Sequence, residues 1–269
     1  MFSVATGSIG VALYVAATVQ MVLGLRRGKG PRHGQAIALG AAALVFHGVV
    51  LSRALFIPGG LDLGFFHALS LAAAVVVLLM LVMSLTEPVD NLGIGLFPLA
   101  AVALAAAVAF AASGRGPTIP TSAEGLDLHI LFSIAAYGVL SLAAMQAILL
   151  WVQHRLLHDH HPVGAVRALP PLYVMESLLF RMIGVGFVLL TIALATGFYY
   201  LEDMFAQHLV HKTVLSLIAW AVFAVLLAGH HFAGWRGPTA ARFTLGGVVL
   251  LILGYFGSKL VLELILARP

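Results

Sequence analysis

Runs of about twenty apolar residues, interrupted by short polar stretches, recur along the whole chain. They fall at about 4–24, 36–56, 62–85, 92–113, 127–152, 172–198, 211–233 and 242–266. About 20 apolar residues, rising about 1.5 Å each, carry a helix across the hydrocarbon core of a bilayer. The pattern therefore predicts an all-α, polytopic membrane protein: eight transmembrane helices in one bundle, with 1–269 forming a single integral membrane domain. Helix 4 is almost entirely Ala, Val, Leu and Phe, and so offers packing without chemistry. Three connections are longer than the rest. The stretch 114–126 is rich in Gly, Pro, Ser and Thr, 153–171 is rich in His, and 198–210 mixes interfacial aromatics with acids.

Composition agrees with that reading. The chain is 62% hydrophobic and 9% charged, with a mean hydropathy of +1.08, more apolar surface than a soluble domain of this length can use. Charge then orients the helices. Arg26, Arg27, Lys29 and Arg32 follow the first helix, Arg155 and Arg167 lie in the fifth loop, and Arg236 and Arg242 in the seventh. The alternate loops hold Arg53 and Arg115 but also Asp62, Glu124, Asp127, Glu202 and Asp203. Lys and Arg concentrate on the cytoplasmic side, so both termini are expected outside the cytoplasm of a bacterial inner membrane. The sequence pI near 9.7 is then a signature of topology and gives no reason to invoke nucleic acid. The first helix lacks the basic leader and short apolar core of a cleaved signal peptide, and is expected to stay in the membrane.

Histidine carries the candidate chemistry, because twelve are present and cysteine is absent. The lack of cysteine excludes disulfides, zinc–thiolate sites and covalent c-type haem attachment to this chain. His129 opens helix 5 and His211 opens helix 7, both near the outer surface. His67 lies slightly deeper in helix 3, and His47 sits near the middle of helix 2. His230 and His231 end helix 7, about 28 Å from His211 at the helical rise, too far to share a ligand with it. Neutral imidazoles on the outer half of a bundle suit haem iron, which takes one or two axial histidines. The expected ligands are His129 and His211, with His47 in reserve for a deeper site. Phe65, Phe66, Tyr137 and Trp220 would flank the macrocycle, and Lys212 and Arg53 would meet its propionates. Each histidine can instead simply hydrogen-bond a carbonyl or a neighbouring hydroxyl, and that reading stays open. The His158-Asp159-His160-His161 run has metal-binding spacing but reads as a solvated loop, dispensable for the main function. Glu176 and Arg181 are five residues apart, which does not favour a direct pair, so each is expected to meet another helix or to snorkel.

Three stretches resemble the cytochrome c assembly transmembrane family, the haem-handling proteins that include CcsA, CcmC and HemX. They are Leu128-His129-Ile130 with Ser133, Ala136 and Tyr137; Glu176 to Arg181 with Gly186-Phe187 and Thr196-Gly197; and Lys212 to Trp220 with Gly234-Trp235-Arg236-Gly237 and Tyr255-Phe256-Gly257. The resemblance covers about residues 125–260, the first four helices matching in hydropathy alone, and is closest to the small HemX/YpjD-type inner membrane members. It implies an external haem-ligating His at His129. The family's Trp-rich haem loop, ending in Trp-Asp-Pro-Lys, is replaced here by Phe198 to Lys212, with His211 where the Pro would stand. The resulting expectation is a haem-binding membrane protein acting in haem handling or cytochrome c biogenesis. It would hold a non-covalent, b-type haem through His129 and His211, near Lys212 and Trp220, and would make no bonds itself. Its partners would be haem, the lipid bilayer and another membrane protein of a biogenesis complex. The competing reading is a transporter-like or structural accessory subunit. Against a transporter stand the lack of an internal repeat and the sparse charge at mid-membrane depth.

Overall fold

The structure is a computed structural model that describes residues 2–26, 33–57, 60–110, 118–119, 126–158, 169–200 and 210–265. The expectations placed on Arg27, Lys29 and Arg32, on the connector with Arg115 and Glu124, on Asp159, His160, His161 and Arg167, and on Glu202, Asp203, Phe205 and His208 lie outside the described residues. Eight helices among the described residues are long and apolar enough to cross a membrane. They are α1 (Phe2–Arg26), α2 (His33–Leu55), α3 (Phe65–Met83), α4 (Gly93–Ala109), α5 (Leu126–His158), α6 (Leu172–Tyr200), α7 (Val210–Ala233) and α8 (Gly237–Ile252), the last continued by π-helical turns at Leu253–Gly257 and Leu260–Ile265. Three strands of two or three residues, β1 (Phe56–Ile57), β2 (Gly60–Asp62) and β3 (Thr118–Ile119), pair antiparallel in that order. They are too short to change the all-α class.

Two element boundaries differ from the hydropathy reading for local reasons. Helix α8 begins at Gly237 rather than near 242, because Pro238 occupies its first turn, where a missing N–H costs nothing. Helix α5 continues to His158 instead of ending near 152. The Gln, Arg and Leu residues that follow Val152 are good helix formers, so His154, Arg155 and His158 are helical and not part of a loop.

The chain divides into two compact units, one made mainly of Met1–Thr121 and the other of Ser122–Arg155 with Pro171–Arg268. In the first unit α1 packs on both α2 and α4, and α3 on α2 and α4. Tyr14, Ala17, Met21, Ala43, Phe97 and Leu104 form its centre, all buried. Gly40 lets the Phe97 ring lie directly on the α2 backbone, where a Cβ would collide with it. His47 is wholly buried in this core. Its Nδ1 lies 3.3 Å from the Tyr14 hydroxyl and its Nε2 2.7 Å from the Ser70 hydroxyl, so one imidazole ties α2 to α1 and α3. Near the β1–β2 hairpin, the Asp62 carboxylate accepts from Gly64 N–H at 2.9 Å and lies 3.5 Å from Nδ1 of His67.

In the second unit, α6 presents Met175, Leu178, Leu179, Met182, Ile183, Gly186, Leu190 and Ala193 as its buried face, a helical stripe recurring every three or four residues. At Gly186 the Leu140 side chain of α5 lies against the α6 backbone. A Cβ there would stand 2.5 Å from Cδ2 of Leu140. Polar ties reinforce the packing. Tyr137 on α5 donates to the Leu251 carbonyl of α8 at 3.0 Å, and the buried Gln146 donates to the Met175 carbonyl at 3.0 Å.

Candidate functional site

The site is built outward from His129. It sits in the first turn of α5, half-buried, with the side of its ring against α6. Its Nδ1 lies 2.9 Å from the Ala193 carbonyl oxygen. A carbonyl can only accept, so a neutral imidazole in this position carries its proton on Nδ1 and leaves the lone pair on Nε2. The Thr196 hydroxyl stands 3.5 Å from the same nitrogen while donating back to the Ile192 and Ala193 carbonyls at 2.8 and 3.0 Å. Tautomer and ring angle are therefore fixed by α6. Anchoring one ring nitrogen on a backbone carbonyl is how proteins commonly prepare the other for a metal.

The remaining expected residues are not all brought to this place. Helix α7 begins at Val210, so His211 lies in its first turn; it is exposed, and no hydrogen bond joins it to His129 among the described residues. Trp220, expected beside the haem, is half-buried and donates its indole N–H to the Thr191 hydroxyl at 2.9 Å. It also stacks on Phe187 at 5.4 Å between ring centroids. Phe187 and Thr191 are one turn apart on a single face of α6, whereas Ala193 lies about 200° around the helix from Thr191. Trp220 thus packs on the side of α6 facing away from His129. The run of residues along a helix gives depth but carries no information about rotation. His47 belongs to the first unit with a hydroxyl on each ring nitrogen, so as placed it has no free position for iron. Arg53 ends α2 and is exposed, and the Phe65–Phe66 pair stacks against Phe110 in that same unit.

Lys212 does have a built surrounding. It is half-buried, with its ammonium 5.8 Å from the centre of the Tyr255 ring, and Tyr255 in turn lies 6.0 Å from Tyr137. Beyond it, Lys259 is buried and pairs with Glu263 at 2.8 Å. This ion pair escaped the sequence reading. Its signal was the i,i+4 spacing of Lys and Glu inside an apolar run, since charge at such a place requires a partner. Among the described residues no group of three or more His, Cys, Asp or Glu could hold a metal ion together.

Comparison with known proteins places the chain in a family. The chain is 33% identical over 261 residues to the inner membrane protein YpjD of Escherichia coli K12, covering 96% of this chain and 95% of the relative. An uncharacterised 28.8 kDa protein of Azospirillum brasilense is 32% identical over 89% of this chain and 90% of its own length. The cytochrome c biogenesis protein CcsA of Prochlorococcus marinus is 32% identical over 88 residues, 32% of this chain and 28% of the relative. No solved structure matches the chain. The family described as cytochrome C assembly protein matches residues 36–266, so the similarity reaches back through α2, α3 and α4 and is not confined to 125–260. With that span and a full-length relative at 33% identity, the chain belongs to the cytochrome C assembly protein family.

Proposed function

We propose that this protein binds haem non-covalently in its second unit and serves haem handling or cytochrome c biogenesis without making or breaking bonds itself. The observation that carries this is the hydrogen bond from Nδ1 of His129 to the Ala193 carbonyl, which leaves Nε2 as a fixed, unprotonated donor. Haem supplies four equatorial nitrogens and needs only one or two from the protein. One oriented imidazole therefore fits haem, where a bare metal ion would need a fuller ligand set. His129 is the proposed axial ligand and His211 the second, and Lys212 is the cation proposed to meet a propionate. With no cysteine in the chain, a non-covalent b-type haem fits better than a thioether-linked one. Family membership supports the general role, and the name of the Escherichia coli relative supports an inner-membrane location.

The test is an absorption spectrum of the purified protein after haem addition, beside His129→Ala and His211→Ala. A Soret band in the wild type that His129→Ala removes is the expected result. A wild type that takes up no haem, or a band indifferent to both substitutions, refutes the assignment. The Lys/Arg distribution supports both termini lying on the extracytoplasmic side. A fusion after Pro269 is expected to activate a periplasmic reporter and leave a cytoplasmic one silent; the reverse pattern defeats this orientation.

A further inference from the structure

The end of the second unit opposite His129 holds a cavity of about 490 Å³, lined by Tyr173, Glu176, Ser177, Phe180, Arg181, His230 and Arg236. The first five fall at i, i+3, i+4, i+7 and i+8 along α6, so they form one continuous stripe. A membrane helix that devotes such a stripe to hydroxyl, carboxylate and guanidinium groups is presenting them to something polar. The cavity lies where α6 begins, α7 ends and α8 begins, and helix ends sit at headgroup depth. Tyr173 is 74% exposed at its rim, as an interfacial aromatic is.

The walls are fixed by their own contacts. The Glu176 carboxylate accepts from Gly237 N–H at 3.0 Å and closes the start of α8. The imidazole of His230 lies flat on Phe180, 3.5 Å between centroids, with its Nδ1 2.9 Å from the Trp235 carbonyl. Gly234, at φ +65°, turns the chain between α7 and α8, so that Trp235 packs on Gly229 and Phe243 while Arg236 joins the α6 residues around the cavity. Among the described lining residues two guanidiniums stand beside one carboxylate, and that carboxylate is held by the α8 backbone. That balance matches a monoanionic phosphodiester better than a polyphosphate. Planar guanidinium groups also suit phosphate oxygens geometrically, and the Phe180–His230 floor offers apolar area to the glycerol end of a lipid.

We infer that this cavity is a binding site for the phosphodiester headgroup of a membrane lipid, held by Arg181 and Arg236 with the Ser177 and Tyr173 hydroxyls beside them. Basic pockets between membrane helices hold anionic headgroups by this chemistry. The site does not depend on the proposed haem function and can fail or hold separately from it.

The experiment is native mass spectrometry of the full chain in mild detergent, with added phosphatidylglycerol or with a diacylglycerol of the same acyl chains. The wild type is expected to retain phosphatidylglycerol and release diacylglycerol. Arg181→Gln/Arg236→Gln is expected to lower phosphatidylglycerol retention about tenfold or more, since each charge-assisted bond lost is a large term. Ser177→Phe keeps every charge while filling the cavity, and is expected to displace the lipid as well, which covers the case in which the double variant does not fold. Equal retention by the wild type and both variants, or retention of diacylglycerol as strong as that of phosphatidylglycerol, overturns the site. Displacement of the lipid by millimolar inorganic phosphate would reassign the arginines to a soluble phosphate and overturn the lipid proposal.

Discussion

His47 and His129 are both histidines inside membrane helices, and the two units treat them in opposite ways. In the first unit each ring nitrogen of His47 meets a hydroxyl, one from Tyr14 and one from Ser70, and the residue is sealed from any ligand. In the second unit, among the described residues, only Nδ1 of His129 is engaged, by a carbonyl that fixes the tautomer. An imidazole with both nitrogens satisfied acts as a structural cross-link, whereas one with a single nitrogen anchored is prepared for a further bond. On the proposed function, the number of engaged nitrogens, more than burial or depth in the membrane, is what separates the two histidines.

Exchanging the roles of these two residues is the strongest way to break the comparison. His129→Ala is expected to lower haem affinity by at least about tenfold, the scale on which ligand-shell contacts act, with little change in thermal midpoint. His47→Leu is expected to keep the haem spectrum and to destabilise the protein by about 1–3 kcal/mol, because Tyr14 and Ser70 are left as buried hydroxyls without their shared partner. Haem titration and thermal unfolding of both variants in one detergent decide it. If His47→Leu abolished the Soret band, the distinction would collapse.

The helix contacts beneath the two histidines give a smaller and sharper contrast. Gly186 sets the approach of α5 and α6, the two helices that carry His129 and its anchoring carbonyl. Gly186→Val is therefore expected to cost about 1–3 kcal/mol through overpacking against Leu140 and to weaken haem binding at the same time. Gly40→Val, against Phe97 in the first unit, is expected to cost a similar amount while leaving the affinity of the molecules that remain folded unchanged. Affinity measured on the folded fraction separates the two outcomes. The smallest effects belong to α6 itself. Thr196→Val, beside the anchored nitrogen, is expected to shift haem affinity a few-fold at most. Trp220→Leu, on the far face, is expected to leave it unchanged and to quench only the contact with Phe187. A larger loss from Trp220→Leu than from Thr196→Val would show that the haem lies on the other side of α6.

Much of this was legible in the residues. The eight helices follow from run length alone, because a bilayer leaves a chain few other ways to satisfy its backbone. The Leu128-His129-Ile130 stretch and its neighbours singled out His129 as a candidate, while the Ala193 carbonyl that anchors it appears only in the structure. The face of Trp220 was not legible, because a face is defined only against the neighbour it packs on, and its bond to Thr191 appears only in three dimensions. Glu176 was expected to meet another helix and does, at Gly237. The saturation of His47 was beyond reach for a similar reason, since its partners lie 33 residues before it and 23 after it, with no local pattern linking them. The start of α8 at Gly237 could have been found by giving Pro238 its due as an opening residue.

The bridge from Tyr14 through His47 to Ser70 also sets an order for membrane insertion. Helices enter the bilayer as the chain is made, α1 first, then α2, then α3. When α2 arrives, Tyr14 can meet one side of the imidazole, but the other nitrogen faces hydrocarbon until Ser70 follows. A buried polar group without a partner costs about 1–3 kcal/mol or more. The α1–α2 hairpin is thus incomplete by itself, and α3 is the piece that closes it. A chain interrupted before α3 would therefore hold a hairpin in which one nitrogen of His47 lacks the hydroxyl that Ser70 gives it in the finished fold.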